Sequence, residues 1–159
     1  MTAIYIGMTE IDTPIIRRAE PHTDISKLVG DPFTNLIRHL RDVGFWVGDN
    51  SDATSGFNAA ATAFLERLLR DVTEGVYAAS DQDRDYARTV LDRSNALAIH
   101  GPCLITGIDD TGQPAAHGET FQHWFENIGA EAAYIAQVRE VVEQLGLSDG
   151  VVIISLGDL

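Results

Sequence analysis

The chain has 159 residues, 45% apolar and 22% charged, a composition that fits one globular domain with its own core and excludes disorder. Its net charge of −13 excludes a basic nucleic-acid-binding surface, and the surplus is uneven: residues 1–48 carry six acids and five bases, residues 49–95 nine and five, and residues 96–159 nine acids against Arg139 alone. No apolar run nears the ~18 residues of a membrane span, the N-terminus lacks the basic region of a secretory signal, and one cysteine excludes an internal disulfide framework. A cytoplasmic protein with no membrane partner is therefore expected.

Residues 3–8 (AIYIGM) read as a first strand, rich in β-branched and aromatic residues, and residues 14–18 as a second with its proline at the start. Thr23 or Asp24 caps a short helical turn through Val29. Asp31 as N-cap, Pro32 at the first helical position and Gly44 as the stop predict a helix, with Phe33, Leu36, Ile37, Leu40 and Val43 as its buried face. Residues 45–47 follow as a short strand, and residues 49–56 as a loop.

Residues 58–72 carry an amphipathic helix with Phe64, Leu65, Leu68, Leu69 and Val72 inward and Glu66, Arg67, Arg70 and Asp71 outward. Ser80 followed by acids opens another, running to about Asp92. Residues 96–112 form strand pieces broken at Gly101-Pro102 and closed by the turn Asp109-Asp110-Thr111-Gly112, with Gly112 at positive φ. Phe121, Trp124, Phe125 and Ile128 form the inward stripe of a helix begun at Glu119. Residues 131–145 read as a further helix and residues 151–156 as a central strand. The expected fold is a single α+β domain over residues 1–159: a mixed sheet of about four to six strands packed with four to five helices.

Signatures of catalysis are sparse. There is no phosphate loop, no nucleophile elbow and no H-E-x-x-H, and Lys27 is the only lysine. Asp81, Asp83 and Asp85 have the spacing that opens a calcium loop, but Tyr86 stands where the sharp turn needs glycine, so helix capping explains them better. The sharper constellation is H-x2-C-x13-H-x5-H, formed by His100, Cys103, His117 and His123, a spacing open to zinc. Against it, His100 and Cys103 face opposite sides of an uninterrupted strand, and a lone cysteine there is commonly a small buried apolar group. The expectation is no metal, no cofactor and no catalytic residue, with these four as a minority metal site.

The segment Gly101-Pro102, a short apolar strand, then Gly107-Ile-Asp109-Asp110-Thr-Gly112 resembles a family of uncharacterised small proteins of phages and plasmids, in which G-P and G-x-D-D-x-G flank such a strand. That resemblance covers residues 101–112, implies a mobile-element setting and lends no catalytic residue.

The function expected is therefore that of a non-enzymatic acidic binding protein, a phage or mobile-element accessory or anti-defence factor. It would engage a basic surface of a partner protein through Asp109, Asp110, Glu119, Glu126, Glu131, Glu140 and Glu143. A compact chain of this length is roughly 40 Å across, and duplex DNA of that length carries on the order of 23 charges. The net −13 is about half that, so the expectation is one acidic face mimicking a short stretch of nucleic acid rather than a whole-surface mimic. The alternative is a small-ligand or metal-binding enzyme built around His100, Cys103, His117 and His123. Self-association as a homodimer is a further option.

Overall fold

Strand order, not helix packing, sets the plan of the molecule. The structure is a computed structural model and describes residues 3–8, 14–19, 24–50, 55–93 and 97–129. In chain order it holds β1 (Ala3–Met8), β2 (Pro14–Ala19), α1 (Ile25–Val29), β3 (Thr34–His39), β4 (Val43–Gly48), α2 (Ala59–Glu74), α3 (Asp81–Leu91), β5 (Cys103–Ile108), β6 (Pro114–Ala115) and α4 (Glu119–Trp124), with one π-helical turn at Phe125–Gly129. The sheet order is β2-β1-β5-β4-β3, with β6 also paired to β5. Two hairpins thus flank β5, the last long strand among the described residues. All these pairings are antiparallel, so among the described residues the sheet is not mixed. The expected helix over residues 131–145 and strand over 151–156 lie outside the described residues.

Both faces of β5 are covered, which is why it reads as a nearly continuous apolar run. Cys103 and Ile105 join Ile6, Phe45 and Val47 beneath Phe64, Leu65 and Leu68 of α2 and Phe121 and Trp124 of α4. Leu104 points the other way, against Trp46 and against Ile25 and Leu28 of α1. Trp46 satisfies its indole by donating from Nε1 to Thr106 Oγ1 on the same face, at 2.9 Å.

The helix expected from Asp31 to Gly44 is instead the β3–β4 hairpin. Asp31 does accept a hydrogen bond from a nearby amide, Phe33 N at 2.9 Å, but as a turn, and its second oxygen accepts from Asn50 N at 3.3 Å. Phe33, expected in the core, is 68% exposed. The register shifts by one residue between Leu36 and Arg38, a bulge that breaks the two-residue alternation a strand normally displays. Leu36 pairs with Trp46 on one face, while Ile37 packs against the main core. Gly44 is no helix stop. A Cβ there would lie 2.9 Å from both Ile108 Cδ1 and Leu36 Cδ1, so glycine lets two sheet residues close over it. The hairpin tip is fastened to the helical layer, with Arg41 N donating to Asp83 Oδ1 and the Tyr77 hydroxyl to Asp42 Oδ2. Burial holds the Asp42 carboxyl above its usual range, and the Tyr77 hydrogen bond opposes that.

The helices after the hairpin follow their sequence signals. Asn58 caps α2 and Ser80 caps α3, each accepting from a first-turn amide. Asn58 does more than cap. It is fully buried, its Oδ1 accepts from Ala61 N, and its Nδ2 donates to the carbonyls of Ile6 at 3.2 Å and Gly101 at 2.8 Å. Its backbone N–H donates to Ile99 O. One side chain therefore ties β1, the approach to β5 and the start of α2.

Removing that amide leaves two buried carbonyls and one helix end short of a partner. Asn58→Ala should destabilise the fold by about 2–4 kcal/mol. Asn58→Asp, which keeps the cap acceptor but loses the donor, should also destabilise it clearly. Urea midpoints would check both. A benign Asn58→Asp would mean that the cap alone matters.

An acidic turn and helix beside a buried histidine

The turn after β5 is rigid because Asp109 satisfies its own backbone. Its Oδ1 accepts from Thr111 N at 2.8 Å, Thr111 Oγ1 at 2.6 Å and Gln113 N at 2.9 Å, while Gly112 N donates to its carbonyl. The Thr111 hydroxyl, then the Gln113 amide, hold the Asp109 carboxyl below its ordinary range. Gly112 takes φ +80°, the conformation expected from sequence. Asp110 stands exposed beside it.

The chain then runs through β6 and turns at Gly118 into α4. Glu119 is exposed in the first turn of α4, where a helix favours negative charge. Glu126 is exposed in the π turn. The ion pairs among the described residues are Lys27–Asp24, Arg67–Asp71, Arg70–Glu66, Arg84–Asp81 and Arg88–Asp85, all within helices of the first ninety residues or at their caps. No cation of the described residues pairs with Asp109, Asp110, Glu119 or Glu126. Five described carboxylates of the first part are paired locally with a cation, whereas the described carboxylates of the second part have none paired to them. Glu131, Glu140 and Glu143 lie outside the described residues. The Asp81, Asp83 and Asp85 series sits within α3: Asp81 and Asp85 pair with arginines and Asp83 holds the hairpin tip.

The four residues of the zinc-like spacing go to different surroundings. His100 bridges to Phe57 outside the named strands, with their rings edge to face at 5.9 Å. Cys103 is fully buried in β5, and burial pushes its thiol far up, so it stays protonated. His123 is exposed on α4, next to the Asn127 carboxamide. His117 is buried, 3% exposed, and stacked on Phe121 with ring centroids 3.9 Å apart. Among the described residues, no three His, Cys, Asp or Glu side chains gather to hold a metal ion.

His117 has the most constrained chemistry of the four. Its Nε2 lies 3.1 Å from the Ile105 carbonyl oxygen. A carbonyl only accepts, so Nε2 carries the proton and Nδ1 presents a lone pair. That Nδ1 is buried without a hydrogen-bond partner. Burial, against the Ile105 hydrogen bond, brings the imidazole down to about 4, so it is neutral at neutral pH. Gly107 makes this approach possible, since a Cβ there would run into the Ala116 carbonyl oxygen.

Asp71, expected on the outer face of α2, is instead buried at 3% exposure. Both its oxygens lie near Arg67 Nε, at 3.1 and 3.0 Å, and Oδ2 accepts from Trp124 Nε1 at 2.8 Å. This bond fixes α4 to α2. Helical spacing gives no sign of it, because the partner indole is 53 residues away.

Compared with protein families, curated proteins and solved structures, the chain matches none of them. The class stated by the fold is α+β, an antiparallel sheet with helices on both faces, and no described helix is long and apolar enough to cross a membrane.

The Asp71–Trp124 bond gives a direct check. Asp71→Ala leaves the buried indole N–H unpaired and should cost about 2–4 kcal/mol in a denaturant melt, whereas Asp71→Asn, which keeps an acceptor, should cost markedly less. Equal costs would mean that the Arg67 ion pair, not the Trp124 bond, sets the energetics.

Proposed function

We propose that this chain is a non-enzymatic acidic binding protein that engages a basic surface of a partner protein through its C-terminal half. The observation that carries this reading is the contrast in charge pairing. The described carboxylates of the second half stand exposed with no cation against them, while those of α2 and α3 are largely paired within their own helices. The Asp109 turn adds pre-organisation, since a carboxylate already held by three donors loses little freedom on meeting a partner. Such a surface steers a basic protein towards it and accelerates encounter more than it deepens affinity.

Resemblance of residues 101–112 to small phage and plasmid proteins favours a mobile-element setting. There, a short acidic face occupying the nucleic-acid site of a host enzyme would make the chain an anti-defence factor in the cytoplasm. The enzyme alternative draws less support. Two of its four side chains, Cys103 and His117, are buried, and His100 and His123 sit in separate surroundings.

The test compares the wild-type chain with the triple variant Asp110→Asn, Glu119→Gln, Glu126→Gln, which spares the structural Asp109 carboxylate. Immobilised wild type should capture basic proteins from a bacterial lysate at low ionic strength and release them as salt rises. The triple variant should associate about tenfold more slowly with the captured protein. Capture that ignores both salt and the three substitutions would overturn the reading.

A further inference from the structure

We infer that His117 is a proton-sensitive latch, holding residues 114–122 on the sheet at neutral pH and letting them open on acidification. Two features confine the latch to this segment. Among the described residues its strand pairing is the two-residue β6, Gly107 with Ala115 and Ile108 with Pro114. The next hold is the His117 ring itself, bonded to the Ile105 carbonyl and stacked on Phe121. Beyond it, Gln122 Nε2 donates to the His117 carbonyl, so the start of α4 is built on the same residue, while Trp124, just past the segment, keeps its bond to Asp71 on α2.

A second proton on the imidazole has nowhere to go. Nδ1 would become a buried donor with no acceptor, and the charge would sit between an aromatic ring and a strand. No carboxylate among the described residues bonds to the ring to offset it. On β5 the titratable neighbour on the core face is Cys103, which stays neutral. On α4 the titratable groups are Glu119 and His123, both exposed. Protonation therefore favours any state in which the ring reaches water.

The sign follows from linkage. In the open state His117 titrates near its ordinary 6.5, and in the closed state near 4, so opening binds a proton across that window. Stability of the closed segment is full above 6.5 and falls as pH drops towards 4. Between pH 8 and pH 5 the opening equilibrium should rise roughly 30-fold. Asp42 shifts the opposite way, but it lies at the β3–β4 tip, outside the segment. The latch rests on the acidic-surface reading only for its consequence: Glu119 lies on the opening segment, and Asp109, Asp110 and Glu126 border it, so acidification would also dismantle that surface.

Native-state hydrogen exchange at pH 8 and pH 5, corrected for the intrinsic pH dependence of exchange, tests the latch without any partner. Amides of residues 115–122 should lose about 30-fold in protection while those of α2 keep theirs. In His117→Gln, whose carboxamide still donates to Ile105 but does not ionise, the segment should show no such loss. Uniform loss across α2 and the segment, unchanged protection, or the same loss in His117→Gln would overturn the latch. Should His117→Gln fail to fold, NMR titration of the wild-type imidazole decides. Titration below pH 5 supports the latch, and titration near 6.5 with the fold intact overturns it.

Discussion

The buried carboxamide of Asn58 is the constraint on which the other contacts depend. Strand β5 sits at the centre of the sheet, yet the chain reaches it only after two hairpins and three helices have been made. Its entry passes through Gly101, at φ +71°, whose backbone carbonyl accepts from the Asn58 side chain. Asn58 Nδ2 donates to that carbonyl and to that of Ile6 on β1 at the same time, while its Oδ1 caps α2. Thr62 extends the junction, donating to the Asn58 carbonyl and accepting from Ile99 N. With β5 fixed, its far end has a place to hold β6, the Asp109 turn and His117.

Charge and burial divide the molecule in a consistent way. Polar groups taken into the core are each used to join elements: Asn58 joins β1 to α2, Asp71 joins α2 to α4, and His117 joins β5 to α4. Polar groups left outside in the first ninety residues mostly pair across one helical turn, an arrangement worth only a few tenths of a kcal/mol each. The described carboxylates of the second half, Asp109, Asp110, Glu119 and Glu126, do neither: they stand exposed with no cation paired to them.

Much of this was legible in the sequence wherever the signal was local. The strands of β1 and β2, the caps of α1 and α3, the extent of α2, the Asp109–Gly112 turn and the inward stripe of Phe121 and Trp124 all depend on residues a few positions apart. The β3–β4 hairpin was not legible, for three physical reasons. Asp31-Pro32 opens a turn as readily as a helix, because the aspartate accepts a nearby amide in both. The bulge beside Ile37 breaks the alternation that marks a strand. Coverage of both sheet faces places apolar residues at spacings that a helix shares. The roles of Asn58, Asp71 and His117 were hidden for a different reason. Each rests on partners distant in the chain, and for His117 the zinc-like spacing pointed to a ligand where the fold uses a stacked, neutral ring. The exposed charge of Asp109, Asp110, Glu119 and Glu126 needed only composition and turn chemistry to be found.

The junction of β1, β5 and α2 stands most directly on the burial and bonding of Asn58, and its side-chain amide protons report on both. In D2O at neutral pH, NMR should find the two Nδ2 protons of Asn58 exchanging orders of magnitude more slowly than those of the exposed Asn127, because release requires opening the β1–β5–α2 junction. Exchange of the Asn58 amide as fast as that of Asn127 would contradict it, and with it the placement of β5 that the acidic surface and the His117 contact both require.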